Sequence, residues 1–195
     1  MGIWLVFADG VGRFSSRSKR MKDHIDEVNR RLTFLRTPTR IIDYHHSTGN
    51  VIVQSPKMNR LEVRDELSLA LGVSCAVLRT DEVEQCVSIM DKAENPSSEA
   101  GIHWTKGIAF EVKGKPITTN PQSTQNAVFH RINGFTVGIY NRSQLAGSEG
   151  SDKVEHGGDW ATISEYVSKS VGGKWTARSL VMVRALFEKA RTQIT

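Results

Sequence analysis

A chain of 195 residues with 38% hydrophobic and 24% charged side chains has the size of one ordinary domain or two small lobes sharing an interface, and its composition excludes disorder and repeat architectures. The net charge of +5, from 26 Lys+Arg against 21 Asp+Glu, favours acidic over basic partners, although a plain soluble surface carries as much. Cys75 and Cys86 are the only cysteines, too few for a disulfide framework and without C-x-x-C spacing for zinc or redox work.

Both cysteines fall in apolar patterns and read as small buried hydrophobes, which suits a reducing, cytoplasmic setting. The opening run Ile3-Trp4-Leu5-Val6-Phe7-Ala8 is too short for a signal h-region and lacks a basic n-region, so no export signal or membrane span is expected. It reads instead as a buried central strand entering the glycine loop Asp9-Gly10-Val11-Gly12.

From Ser18 the period changes to that of a helix. Met21, Ile25, Val28, Leu32 and Leu35 form its apolar face, with Lys, Arg, Asp and Glu on the other. After Pro38, residues 40–45 and 50–54 predict a hairpin turning at Ser47-Thr48-Gly49-Asn50. Asn59 with Glu62 opens a second helix that Gly72 ends. Val73 to Leu78 is strand-like, and Asp81 with Glu84 starts a helix whose stripe is Val83, Cys86, Val87 and Met90.

Glu94 to Ala100, with Pro96, Ser97 and Ser98, reads as a linker. Beyond it, residues 102–112 suit a long strand, Lys113 to Pro116 a turn and Thr118 to Asn126 a polar loop. Strands at 127–132 and 135–140 meet at Asn133-Gly134, a two-residue hairpin signal. Arg142 to Gly158 reads as a surface excursion. A helix capped by Asp159 then carries Trp160, Ile163, Val167 and Val171 to Gly172-Gly173, followed by a strand at 174–178 and a last helix capped by Ser179.

The expected fold is therefore α+β, with a β-α-β-β-α-β lobe of ferredoxin-like type over 1–94, a linker over 95–101, and a second α+β lobe of related pattern over 102–195.

The order of short signatures along the chain resembles the bacterial proteins of domain-of-unknown-function family 1697. Ala8-Asp9-Gly10-Val11-Gly12 is similar to the family's Arg-Gly-Ile-Asn-Val-Gly-Gly loop, keeping glycines without the arginine and asparagine. Tyr44-His45-His46-Ser47-Thr48-Gly49-Asn50-Val51 is similar to its Tyr-x-x-Ser-Gly-Asn-Val hairpin with one residue more in the turn. Ala76 to Thr80, Asn95-Pro96 and Thr176-Ala177-Arg178 follow in the family's order. The resemblance implies a two-lobed α+β fold and brings no established activity with it.

The leading candidate site joins Asp9, Gly10, Gly12 and Arg13 with Ser47, Thr48 and Asn50 of the turn and with Arg178. Glycines let backbone amides approach an anion, and arginine pairs bidentately with phosphate or carboxylate. The loop is neither a Walker motif nor G-x-G-x-x-G, and glycines in a strand-to-helix turn are equally an ordinary structural device. The ligand class expected is a nucleotide or nucleic acid, bound without catalysis or cofactor.

A rival reading takes His46-Ser47-Thr48 and His103-Trp104-Thr105 as paired His-x-Thr elements, which resemble those of the two-histidine phosphoesterases. There one histidine is general base, the other general acid, and the hydroxyls hold phosphate. Six histidines in a Ser- and Thr-rich chain make a chance pair easy. A metal site is not expected, because His45 and His46 on a strand point to opposite faces. Trp4, Phe7, Tyr44, Phe129, Phe135 and Tyr140 on strands suit either base stacking or an ordinary core. A purely structural or partner-binding protein would instead show a continuous apolar patch.

Overall fold

A computed structural model describes residues 2–9, 18–45, 49–97, 102–145, 154–156 and 160–193. The fold is α+β, and its contacts gather into two compact units, Met1–Glu84 with Arg184–Thr195, and Gln85–Val183.

The first unit runs β1 (Gly2–Ala8), α1 (Ser18–Phe34), β2 (Arg40–Tyr44), β3 (Asn50–Ser55), α2 (Arg60–Leu71) and β4 (Cys75–Arg79). Its antiparallel sheet has the order β2-β3-β1-β4, the ferredoxin-like arrangement expected from the sequence. Strand β1 is apolar throughout because it is central: Trp4, Leu5, Val6 and Phe7 are all buried. By alternation Trp4 and Val6 face the helices, where they join Ile25, Val28 and Leu32 of α1 and Val63 and Leu67 of α2 in one core. Truncating a fully buried leucine such as Leu32 or Leu67 in this core costs about 2–5 kcal/mol.

The boundaries of α2 follow from its caps. Asn59 Oδ1 accepts the Leu61 N–H at 2.9 Å, and Gly72, left-handed at φ 71°, donates its own N–H to the Ser68 carbonyl. A polar knot fixes the strands beneath: Glu66 Oε2 accepts from Thr37 Oγ1 at 2.8 Å and Thr39 Oγ1 at 2.7 Å, while Lys57 Nζ lies 2.6 Å from Glu66 Oε1.

Helix α3 (Thr80–Lys92) starts directly from β4. Glu82, rather than Glu84, serves its start, accepting the Arg79 N–H at 2.8 Å as the return arm of a capping box and pairing with Arg60.

The second unit contains β5 (Ile102–Lys113), β6 (Ala127–Asn133), β7 (Thr136–Leu145), β8 (Val154–His156), α4 (Trp160–Val171) and β9 (Lys174–Ser179). The main path is β6-β7-β5-β9, with β8 pairing β7. This repeats the strand order of the first unit, but the connection from β5 to β6 carries no helix. That connection is held as an irregular segment: Ile117 N–H donates to Gly134 O, Arg131 N–H to Asn120 Oδ1, and Gln122 N–H to Ser170 Oγ. Its polar, aperiodic sequence has no apolar stripe with which to pay for a helix.

Helix α4 covers the sheet face that carries Ala109, Phe129, Val137, Ile139, Trp175 and Ala177. On the opposite face Cys86 Sγ lies 3.6 Å from Thr136 Oγ1. Met90 also occupies that face at Gly138, where a Cβ would come within 2.4 Å of its sulfur. These contacts explain why the division of the chain falls inside α3, after Glu84, instead of in a linker after Glu94. It falls again inside the last helix, α5 (Leu180–Arg191), whose residues from Arg184 onward belong to the first unit.

Two local expectations are corrected. The 127–140 hairpin turns at Gly134-Phe135, since Asn133 pairs with Thr136 and the register shifts between Arg131 and Asn133. Asn133 Oδ1 accepts the Phe135 N–H at 2.8 Å. Gly134 is required by close approach, a Cβ there lying 2.9 Å from Pro116 Cβ. Residues 142–158 are likewise not wholly an excursion, because β7 continues to Leu145 and pairs with β8. Asp159, expected as a helix cap, lies outside the described residues.

Candidate functional site

Strand register brings two parts of the expected site to one end of the first sheet. Phe7 of β1 pairs with Asn50 of β3, and Ala8 pairs with Cys75. Asp9 extends this end by donating its N–H to Ser74 O at 2.8 Å. On the neighbouring strand the His45 N–H reaches Asn50 O at 2.9 Å, and Gly49 adopts φ 66°, a conformation that favours glycine. The point where residues 10–17 leave β1 and both ends of the segment 46–48 therefore share a sheet end.

Asn50 is fully buried at the start of β3. Gly10, Gly12, Arg13, His46, Ser47 and Thr48 lie outside the described residues.

A cation missing from the sequence-based site is found at this end. A register shift between Ile41 and Asp43 sets Asp43 opposite Ile52 and Tyr44 opposite Val51. Lys189 of α5 approaches there, with Nζ 2.7 Å from Asp43 Oδ1 and 2.9 Å from Tyr44 O. The same ammonium lies 5.7 Å from the centre of the Tyr44 ring, within cation–π range. A lysine on the polar side of a helix 146 residues from its partner leaves no sequence signal.

The remaining expected residues belong to the second unit. Arg178 pairs with Ile108 on β9, and its Nη1 donates to Thr176 Oγ1 at 2.6 Å and Ala177 O at 2.8 Å. His103 is exposed on β5, opposite Ser143. Among the described residues no group of three His, Cys, Asp or Glu side chains is placed to hold a metal ion. The strand aromatics Trp4, Phe7, Phe129 and Tyr140 are buried and serve as core, which leaves no stacking platform among them.

The second unit has a concavity of its own, about 400 Å³ in volume, lined by Met90, Ala93, Glu94, His130 and Tyr140 among others. Lys106 Nζ closes one end of α3 by donating to the carbonyls of Met90 at 2.9 Å and Ala93 at 2.7 Å. The His130 ring stands edge-on to Tyr140 at 5.6 Å between centres. Burial pushes the Tyr140 phenol above its ordinary pKa.

No family model matches the chain, and no curated protein matches it. Among solved structures it is similar to the conserved bacterial protein SP0830 from Streptococcus pneumoniae, with a TM-score of 0.55 and 11% identity over 98% of this chain and 99% of the other. At that identity the likeness is one of fold. Among the described residues no helix is long and apolar enough to cross a membrane.

Proposed function

We propose that the chain binds an anionic ligand, a nucleotide or the backbone of a nucleic acid, at the end of the first sheet where residues 10–17 leave β1 and residues 46–48 join β2 to β3. The observation that carries this reading is the shared register of Phe7 with Asn50, which ties the starting points of both segments together. The sequence from Gly10 supplies Gly12, Arg13, Ser15, Ser16 and Arg17, and it leads into a 17-residue helix with no acidic residue in its first turn. The amides at such a helix end favour phosphate oxygens, and arginine and hydroxyl side chains are of the kinds that pair with them.

In this reading Asp9, Gly10, Gly12, Arg13, Ser47 and Thr48 line the site, Asn50 shapes it from below, and binding is non-catalytic. Arg178, which belongs to the second unit and gives its Nη1 to Thr176 Oγ1 and Ala177 O, is left out of this reading. The two-histidine alternative draws no supporting observation from His103. Kinship with domain-of-unknown-function family 1697 rests on the order of signatures described above. A cytoplasmic setting accords with Cys75 and Cys86 both being buried and outside any disulfide.

The test is anisotropy with labelled single-stranded and duplex DNA at several salt concentrations, together with a nucleotide panel followed by thermal shift. The expected result is affinity that falls with salt, with a log–log slope of about −1 to −3, and that drops roughly tenfold in Arg13→Ala with unchanged melting, about the 1.4 kcal/mol of a charge-assisted contact. Salt-indifferent or absent binding, with no nucleotide stabilisation, removes the proposal.

A further inference from the structure

The first unit exposes large apolar side chains where the ends of α1 and α2 meet. Phe34 is 87% exposed, Leu69 68% and Leu35 42%. Together with Glu27, Arg30, Arg31 and Ala70 they line a shallow groove of about 490 Å³. A solitary exposed leucine needs no account, but three large hydrophobics on one groove do.

Charge and size together indicate what the groove takes. Arg30 and Arg31 both reach the one carboxylate of Glu27, at 3.0 and 3.2 Å, so the rim carries a surplus of positive charge. Arg31 is also anchored to the fold, its Nη1 donating to Ala70 O at 3.3 Å. The three apolar side chains offer roughly 300–400 Å², well short of the ~800 Å² that each partner contributes to an ordinary stable interface. A short segment laying one apolar stripe into the groove, with acidic residues flanking it, matches both the area and the sign of charge.

We propose that the α1–α2 groove is a docking site for an acidic amphipathic helical segment of a partner protein. Phe34, Leu35 and Leu69 receive the partner's apolar stripe, and Arg30 and Arg31 receive its carboxylates. The site is independent of the anion-binding reading, since it uses neither the glycine loop nor the 46–48 turn.

The test uses two labelled peptides of about 16 residues, each with leucines at helical i, i+3, i+4 and i+7 spacing, one filled with Glu and the other with Lys. The expected result is saturable binding of the Glu peptide at least tenfold tighter than the Lys peptide. Phe34→Ser should weaken it by tenfold or more with the melting temperature unchanged, because the ring packs little in the free protein. Arg30→Glu with Arg31→Glu should invert the preference between the peptides, which a general loss of structure would not do. Binding of neither peptide, or equal binding of both that survives Phe34→Ser, overturns the proposal. So does a concentration-dependent dimer in sedimentation that Phe34→Ser abolishes, since the groove would then belong to a second copy.

Discussion

Lys189 and Asp43, 146 residues apart, hold each other at 2.7 Å and so fasten the C-terminal helix to the arm of the β2–β3 hairpin. Their side chains are 40% and 25% exposed, so the pair is less screened than a surface ion pair but far from dry. Lys189 also donates to Tyr44 O, so removing it leaves both a carboxylate and a carbonyl to water. Lys189→Met should destabilise the protein by about 1–2 kcal/mol and Asp43→Ala by about 1 kcal/mol. The double variant should cost less than the sum, with a coupling of roughly 0.5–1 kcal/mol in urea denaturation. Strict additivity would show that the contact contributes nothing.

Glu66 should make the first unit sensitive to acid. Burial by itself raises the pKa of its carboxyl, but donation from Lys57, Thr39 and Thr37 together outweighs burial and holds it below the usual carboxylate value. A folded-state pKa below the unfolded one means that the unfolded chain binds the proton first. The stabilisation is therefore complete above the unfolded value near 4.5 and is lost as pH falls through the lower folded value. Glu66→Gln should flatten that acid limb and lower stability at neutral pH by about 1–3 kcal/mol. Parallel stability–pH curves for the two proteins below pH 5 would reject this role.

Two helix-ending glycines separate conformational from steric cost. Gly72 has φ 71° with nothing within 4 Å of an added Cβ, whereas Gly173 has φ 82° and an added Cβ would lie 2.6 Å from Lys113 O. Gly72→Ala should therefore cost only the left-handed penalty, about 1 kcal/mol. Gly173→Ala should cost that and a backbone displacement besides, about 3 kcal/mol or more. Equal melting shifts would show that β5 and the end of α4 yield without resistance.

Most of the architecture is legible in the sequence because the helices show their apolar stripes and α2 shows both its caps. Ile25, Val28 and Leu32 mark α1, Asn59 and Gly72 bound α2, and the unbroken run from Ile3 identifies β1 as central. What is not legible depends on partners distant in sequence. Asn133-Gly134 looks like a turn dipeptide, yet it is Pro116 that demands the glycine. The division of the chain inside α3 follows from Cys86 meeting Thr136, which no composition shift announces. At the candidate site the turn and the loop are visible as motifs, while Asp43 and Lys189 are ordinary charged residues until the sheet register and the last helix bring them together.

Cys75 offers a test at alkaline pH. Its thiol lies buried in β4, 3.5 Å from Ser68 Oγ, and burial pushes its pKa up to about 11 from an ordinary 9.0. Here the folded state keeps its proton longer than the unfolded chain, so stability is complete below pH 9 and falls as pH rises towards 11. The loss should be on the order of 2 kcal/mol, and Cys75→Ala should remove that alkaline slope at the cost of a small cavity. The same burial makes the native thiol inert, because the thiolate is the reacting form. Labelling with an aromatic disulfide at pH 8 should therefore proceed only through opening of the first unit, and Lys189→Met should accelerate it in proportion to the stability lost. Rapid labelling of Cys75 in the intact protein, unaffected by Lys189→Met, would show a local opening of β4 that bypasses the α5 clasp.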